Sequence, residues 1–292
     1  MAFDRSSCYW KRSWAYRVFK KHQTQLNRMY WSFAPVAARG HYIGKTAPGG
    51  GATVDTFVFH TADSVRVPTP IDDWKIEFKQ FELWVRLSAA MSIAGYFEVY
   101  LRSMIRAALE SDPGVLIASP KSVDGAALLK RDPSYSYLGE TEPCLKGDWT
   151  KRLSAYREFF GKVPPELEGA RSELDSLRNL RNGVGHTFGR EPDDYTTRYL
   201  VGLRPFTPLS AIRLQKWQGL VETAAMAVDE HLLADHIGAY EAVAFYHEGR
   251  PEFARSGGGI ARAFKKSLSR TFTDSPSYEY CQELSEYYEK LN

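Results

Sequence analysis

Cysteine is scarce in this chain: Cys8, Cys144 and Cys281 are its three thiols among 292 residues, and no two form a Cys-x-x-Cys pair. That spacing excludes a disulfide framework and a zinc site of the usual kind, and predicts free thiols in a reducing compartment. Long apolar runs are also missing. None approaches the roughly 20 residues that cross a bilayer, and the N-terminus lacks the unbroken apolar core of a signal peptide. A cytoplasmic protein with no membrane partner is expected. Histidines in metal-ligand spacing are absent too, since His231 and His236 stand five apart with no His-Glu-x-x-His arrangement. Gly40-His-Tyr-Ile-Gly44-Lys45-Thr46 has its glycines one residue too close for a phosphate loop, and Gly49-Gly-Gly51 reads as a linker. No metal and no cofactor are therefore expected.

Net charge is small, +3, but unevenly placed. Residues 1–31 carry seven cations, among them Lys11, Arg12, Lys20 and Lys21, against Asp4 alone. Aromatics interleave with them: Tyr9, Trp10, Trp14, Tyr16, Phe19, Tyr30 and Trp31. Cations alternating with aromatics suit phosphate contacts and base stacking. The same residues also fit an amphipathic helix that docks through Trp10, Trp14 and Val18 and leaves its charges in water. The two readings are compatible.

Periodicity divides the chain in three. Residues 1–71 form a basic, aromatic-rich extension, irregular through the Pro/Gly-rich Ala34–Ala52 and then alternating, strand-like, over Thr53–His60. Residues 72–240 are helical. Phe97, Tyr100, Leu101, Met104, Ile105 and Leu109 keep a 3.6-residue period until Asp112-Pro113-Gly114 interrupts it. A short helix is predicted near Val123–Lys130 and another over Trp149–Phe160. A third starts after Pro164-Pro165 and runs through Glu166–Asn182, with Leu174, Leu177, Leu180 and Val184 as its buried stripe. A long one covers Leu209 to about Ile237. Residues 241–292 are expected to be a tail, basic after Gly249, with a short helix over its acidic and aromatic end, Tyr278–Asn292. The fold class is all-α: a helical bundle with a basic N-terminal extension, a short β segment within it, and a C-terminal tail.

Chemistry concentrates in Arg181-Asn182-Gly183-Val184-Gly185-His186, at the end of a predicted helix. A guanidinium offers a planar fork of donors to two phosphate oxygens, and a histidine exchanges protons near neutral pH. Together they can direct an RNA 2′-hydroxyl against its own phosphate without a metal. One such histidine per chain is too few for both proton transfers, so a symmetric dimer is expected. The plainer alternative is a helix C-terminus where cations complement the macrodipole.

Within the longer string Leu-Asp-Ser-Leu-Arg-Asn-Leu-Arg-Asn-Gly-Val-Gly-His186-Thr-Phe-Gly, with a Phe97-Glu98 helix before it and a long helix after it, the chain resembles the HEPN superfamily over about Phe81–Ile237. The resemblance implies a dimerising helical bundle, in many members an RNA-cleaving toxin or anti-phage effector. It places Arg181 and His186 at the catalytic positions, Asn182 at the polar position after the arginine, and Glu98 at an acidic position that orients them. Arg178, one turn before Arg181, is then available to hold a phosphate. Members paired with a nucleotidyltransferase antitoxin carry a tyrosine two residues after the histidine. Phe188 stands there instead, so neutralisation by that route is not implied. The expected function is a metal-independent endoribonuclease acting on RNA as a homodimer or an assembly of dimers, with an antitoxin or defence-complex partner conceivable. The alternative is a non-catalytic subunit that binds RNA, a nucleotide or a protein.

Overall fold

The computed structural model describes residues 3–131, 136–187, 205–271 and 275–291. Among these, regular structure is helical and no strand occurs. In chain order the helices are α1 (Trp14–Thr46), the single turn α2 (Thr53–Thr56), α3 (Ile71–Ser111), α4 (Gly125–Arg131), α5 (Trp149–Phe160), the short α6 (Pro165–Gly169), α7 (Arg171–Thr187), α8 (Ala211–Leu232), α9 (Tyr240–Ala254), α10 (Ile260–Thr271) and α11 (Tyr278–Lys290). A π-helical turn, Leu233–Ile237, continues α8. The chain divides into two compact units: Met1–Phe19, Glu98–Arg171 and Thr223–Asn292 in the first; Lys20–Phe97 and Ser172–Glu222 in the second.

In the first unit, local signals set the helix ends. Asp148 caps α5 by accepting from the Lys151 amide at 2.9 Å, and Gly161, at φ 76°, ends it where an L side chain would be strained. Ser277 caps α11 in the same way through the Tyr280 amide. The start of α1 is held by two buried carboxylates. Asp229 accepts from the amide and hydroxyl of Ser13, while Glu241 accepts from the Trp14 amide at 2.9 Å. Burial raises both carboxyls, Glu241 to about 7. Tyr100, fully enclosed, donates to the Ala225 carbonyl at 2.7 Å and ties α3 to α8.

The predicted C-terminal tail is instead a packed part of this unit. Val243 and Tyr246 of α9, Phe264 and Leu268 of α10, and Cys281, Leu284 and Tyr288 of α11 form one buried cluster with Trp10. Their spacings of three, four and seven residues are the helical period, and that burial is what makes these residues a domain element. The thiols are free, and burial pushes Cys8 up to about 11 and Cys144 and Cys281 to about 12. They are weak nucleophiles.

In the second unit α1 and α3 form a long antiparallel hairpin. Phe33 meets Phe81 at 5.6 Å, His41 bonds to Glu82 at 2.6 Å, and a Cβ on Gly40 or Gly44 would lie 3.1 Å from Phe78 or 3.3 Å from Trp74. The Gly40-x-x-x-Gly44 pair is therefore a flat strip against which two aromatic rings of α3 lie. This corrects the expectation of an irregular segment: the helix persists through Pro35 to Thr46. Proline removes one amide donor, and the ring contacts on α3 hold the helix beyond it. The strand expected over Thr53–His60 is also absent. An alternating run needs a second strand for its backbone groups, and here Thr53 starts a helical turn with its hydroxyl on the Pro68 carbonyl at 2.6 Å. Glu222 of α8 pairs with Lys20 of the hairpin, and Arg86 Nε donates to the carbonyl of Leu209, just ahead of α8, at 2.7 Å.

Candidate functional site

The helix expected over Glu166–Asn182 breaks at Ala170, and its second part, α7, runs on to Thr187 through both glycines. Leu174 and Leu177 are buried on one side of α7. Glu173, in its first turn, accepts from Lys216 Nζ at 2.6 Å and from the indole N–H of the buried Trp217 at 2.8 Å. Those two bonds hold the carboxyl below its ordinary range and pin α7 to α8.

Burial fades along the helix. Of the expected stripe, Leu174 and Leu177 are enclosed while Leu180 and Val184 are only half-buried; Arg181, Gly185 and His186 are exposed. Arg178 Nε donates to Asp175 at 3.3 Å, and Arg181 Nη1 donates to the Asn182 side-chain oxygen at 3.2 Å. Because the segment is helical, five residues turn the chain by about 500°, setting Arg181 and His186 roughly 140° apart. Arg178, Asn182 and His186 follow one another at four-residue steps along one face. A Cβ on Gly183 or Gly185 would meet nothing within 4 Å among the described residues. Phe188 lies outside the described residues.

The structure thus gathers Arg178, Arg181, Asn182 and His186 on the last turns of one helix; the other expected site residues stand on other elements. Glu98 belongs to the first unit and faces the buried Arg152 guanidinium at 3.5 Å, which itself lies over the Trp149 ring at 5.1 Å. Of the four arm cations, Arg12 pairs with Glu230 at 2.8 Å and Asp229 at 3.6 Å, and Lys20 with Glu222. Lys11 and Lys21 are exposed. Trp10 and Phe19 are buried while Val18 is half exposed, so docking uses a different stripe from the one expected.

Several polar partnerships were not foreseen. His236 bonds through Nδ1 to the buried Asp112 at 2.9 Å, whereas its neighbour Asp235 pairs with Lys162 at 2.9 Å. His236 and Asp235 are therefore not the surface pair that adjacency suggests. His231 bonds to the Tyr156 hydroxyl at 2.8 Å and is pushed down to about 4, chiefly by burial. Glu173 is the positioning residue sequence reasoning passed over; its signal is an acid one turn ahead of a buried leucine stripe. Among the described residues no group of His, Cys, Asp and Glu is placed to hold a metal, and no helix is long and apolar enough to cross a membrane. Comparison of the chain with protein-family models, curated proteins and solved structures finds no match.

Proposed function

We propose that the chain is a metal-independent endoribonuclease whose reacting groups are Arg181 and His186. The observation that carries this reading is the Arg-Asn-x-x-x-His string on the exposed last turns of α7, with the first turns of that helix anchored by Glu173 and two buried leucines. Arg181 binds the phosphate and stabilises the charge that gathers on its oxygens. Histidine removes the 2′-hydroxyl proton, O2′ bonds to phosphorus, the bond to O5′ breaks, and a second histidine supplies the proton to the leaving oxygen. One chain has one histidine in this string, so the site is built from two copies by a two-fold axis. Asn182 holds the Arg181 fork from the adjacent position, and Arg178, whose Nε is held by Asp175, reaches a flanking phosphate through its terminal N–H groups. Glu98, set against Arg152, is assigned no step. Lys11 and Lys21 are the arm cations placed for RNA, since Arg12 and Lys20 are engaged with carboxylates.

The test is incubation of purified protein with total RNA in EDTA beside the His186→Ala variant. Cleavage by the wild type and its loss in the variant support the reading. Intact RNA with both proteins leaves α7 as a binding surface for RNA, a nucleotide or a protein partner.

A further inference from the structure

Beside the packed seam of the α1–α3 hairpin, one of its long sides is apolar and exposed. Met29 and Val36 of α1 are 63% and 65% accessible, and Phe81 and Trp84 of α3 are 45% and 49% accessible. Helical spacing places Met29, Phe33 and Val36 along one edge of α1, and Phe81 and Trp84 along the adjoining edge of α3. The Phe33–Phe81 ring contact joins the two edges into one strip, and Phe81 stacks on Trp84 at 6.1 Å. Large aromatics in a contiguous exposed strip mark an interaction site.

The rims identify the occupant. Arg28 and Arg39 flank the strip on the α1 side, and Asp73 and Glu77 flank it on the α3 side; all four are exposed. Arg39 follows Val36 by three residues and Glu77 precedes Phe81 by four, so each adjoins the apolar strip. Gly40 packs on Phe78, which sets Arg39 and Glu77 at the same level of the hairpin on opposite rims. A two-fold axis parallel to the hairpin lays α1 of one copy over α3 of another. It brings each basic rim onto an acidic rim, and Arg39 onto Glu77 of the second copy. A two-fold across the hairpin would instead set like charges together.

We propose that this face docks a second copy of the chain, apolar strip on apolar strip, with Arg39 and Glu77 closing both rims. A nucleic acid suits the face less, because Asp73 and Glu77 repel phosphate at the end of the strip where Arg39 stands. The assignment uses no residue of α7 and is independent of the nuclease reading.

Sedimentation equilibrium of the full chain across the micromolar range tests it. The wild type should self-associate, and Trp84→Glu should halve the mass, weakening the contact at least about tenfold. Trp84 is half exposed, so this variant should keep its helical circular dichroism. Arg39→Glu should weaken association, and adding Glu77→Arg to it should restore the wild-type mass. A monomeric wild type, or a mass unchanged by Trp84→Glu, overturns the proposal. So does a Trp84→Glu variant that keeps its mass but loses RNA binding in fluorescence anisotropy, which would assign the face to RNA.

Discussion

Replacing Glu241 by Gln and His231 by Asn should tilt the pH dependence of stability in opposite directions. Glu241 accepts from the Trp14 amide at the start of α1, and burial, reinforced by Asp229, raises it from 4.5 to about 7. The folded state therefore holds a proton that the unfolded chain has released between pH 4.5 and 7, and stability falls as pH rises through that window. At about 1.4 kcal/mol per pH unit, the fall is on the order of 3 kcal/mol. His231 is displaced the other way, from 6.5 to about 4, because its burial beside Tyr156 and Lys162 disfavours the cation. Here the unfolded chain takes up the proton first, so stability is lost as pH falls from 6.5 toward 4, again by roughly 3 kcal/mol. In the wild type the two slopes oppose each other over nearly the same range. Glu241→Gln removes the first and should gain about 3 kcal/mol relative to wild type between pH 4.5 and 7.5. His231→Asn keeps a polar group near the Nδ1 position for the Tyr156 hydroxyl and should gain on the wild type as pH falls below 6.5. Urea unfolding at half-unit pH steps, read as variant minus wild type, isolates each slope. Parallel profiles for all three proteins would refute the assignment of these groups as buried and displaced.

Other consequences are checked more simply. Glu173→Ala leaves the indole N–H of Trp217 without its acceptor and should cost about 1–3 kcal/mol, whereas Lys216→Ala, at an exposed amine, should cost under about 1 kcal/mol; thermal melts separate them. Gly40→Leu drives a side chain into Phe78 and should destabilise by about 1–3 kcal/mol, with Gly49→Leu, facing open space, as the control. If RNA is cleaved as proposed, one product ends in a 2′,3′-cyclic phosphate and the other begins with a 5′-hydroxyl. His186→Ala should then lower the rate about 10²–10⁴-fold, and Arg181→Lys should be severely impaired because the planar fork is lost. Analysis of the cleaved ends checks this, and a 5′-phosphate would rule out the 2′-hydroxyl as nucleophile.

Helices that carry their own boundaries were legible in the sequence. Trp149–Phe160 is recovered to the residue because Asp148 caps it and Gly161 ends it. Ser111 closes α3 where Asp112-Pro113-Gly114 predicts a stop. What escaped were features whose meaning depends on a partner. Gly40 and Gly44 look like breakers until Trp74 and Phe78 are seen lying on them. The alternation over Thr53–His60 looks like a strand only while a neighbouring strand is imagined. The last fifty residues look like a tail with one short helix at its end; that helix is α11, but its packing of Cys281, Leu284 and Tyr288 on Phe264 and Leu268 depends on partners the local sequence does not name. At the candidate site, the order Arg178–Arg181–Asn182 along one helix could be read from spacing, whereas the helix expected to end at Asn182 instead runs on through Gly183 and Gly185 to carry His186. The pairing of Glu98 with Arg152 could not, because nothing local in the sequence links positions so far apart.

The fading burial along α7 has an evolutionary reading. Its first half is constrained by a leucine stripe and a tryptophan-bound carboxylate, so changes there are filtered by folding. Its second half is less enclosed, with Arg181, Gly185 and His186 exposed, so changes there are filtered less strictly by folding. Variation toward the end of the helix can therefore accumulate with a smaller loss of folded protein than variation at its start. Substitutions at the exposed His186 should lower the amount of folded protein in cells less than substitutions at Leu174 or Leu177.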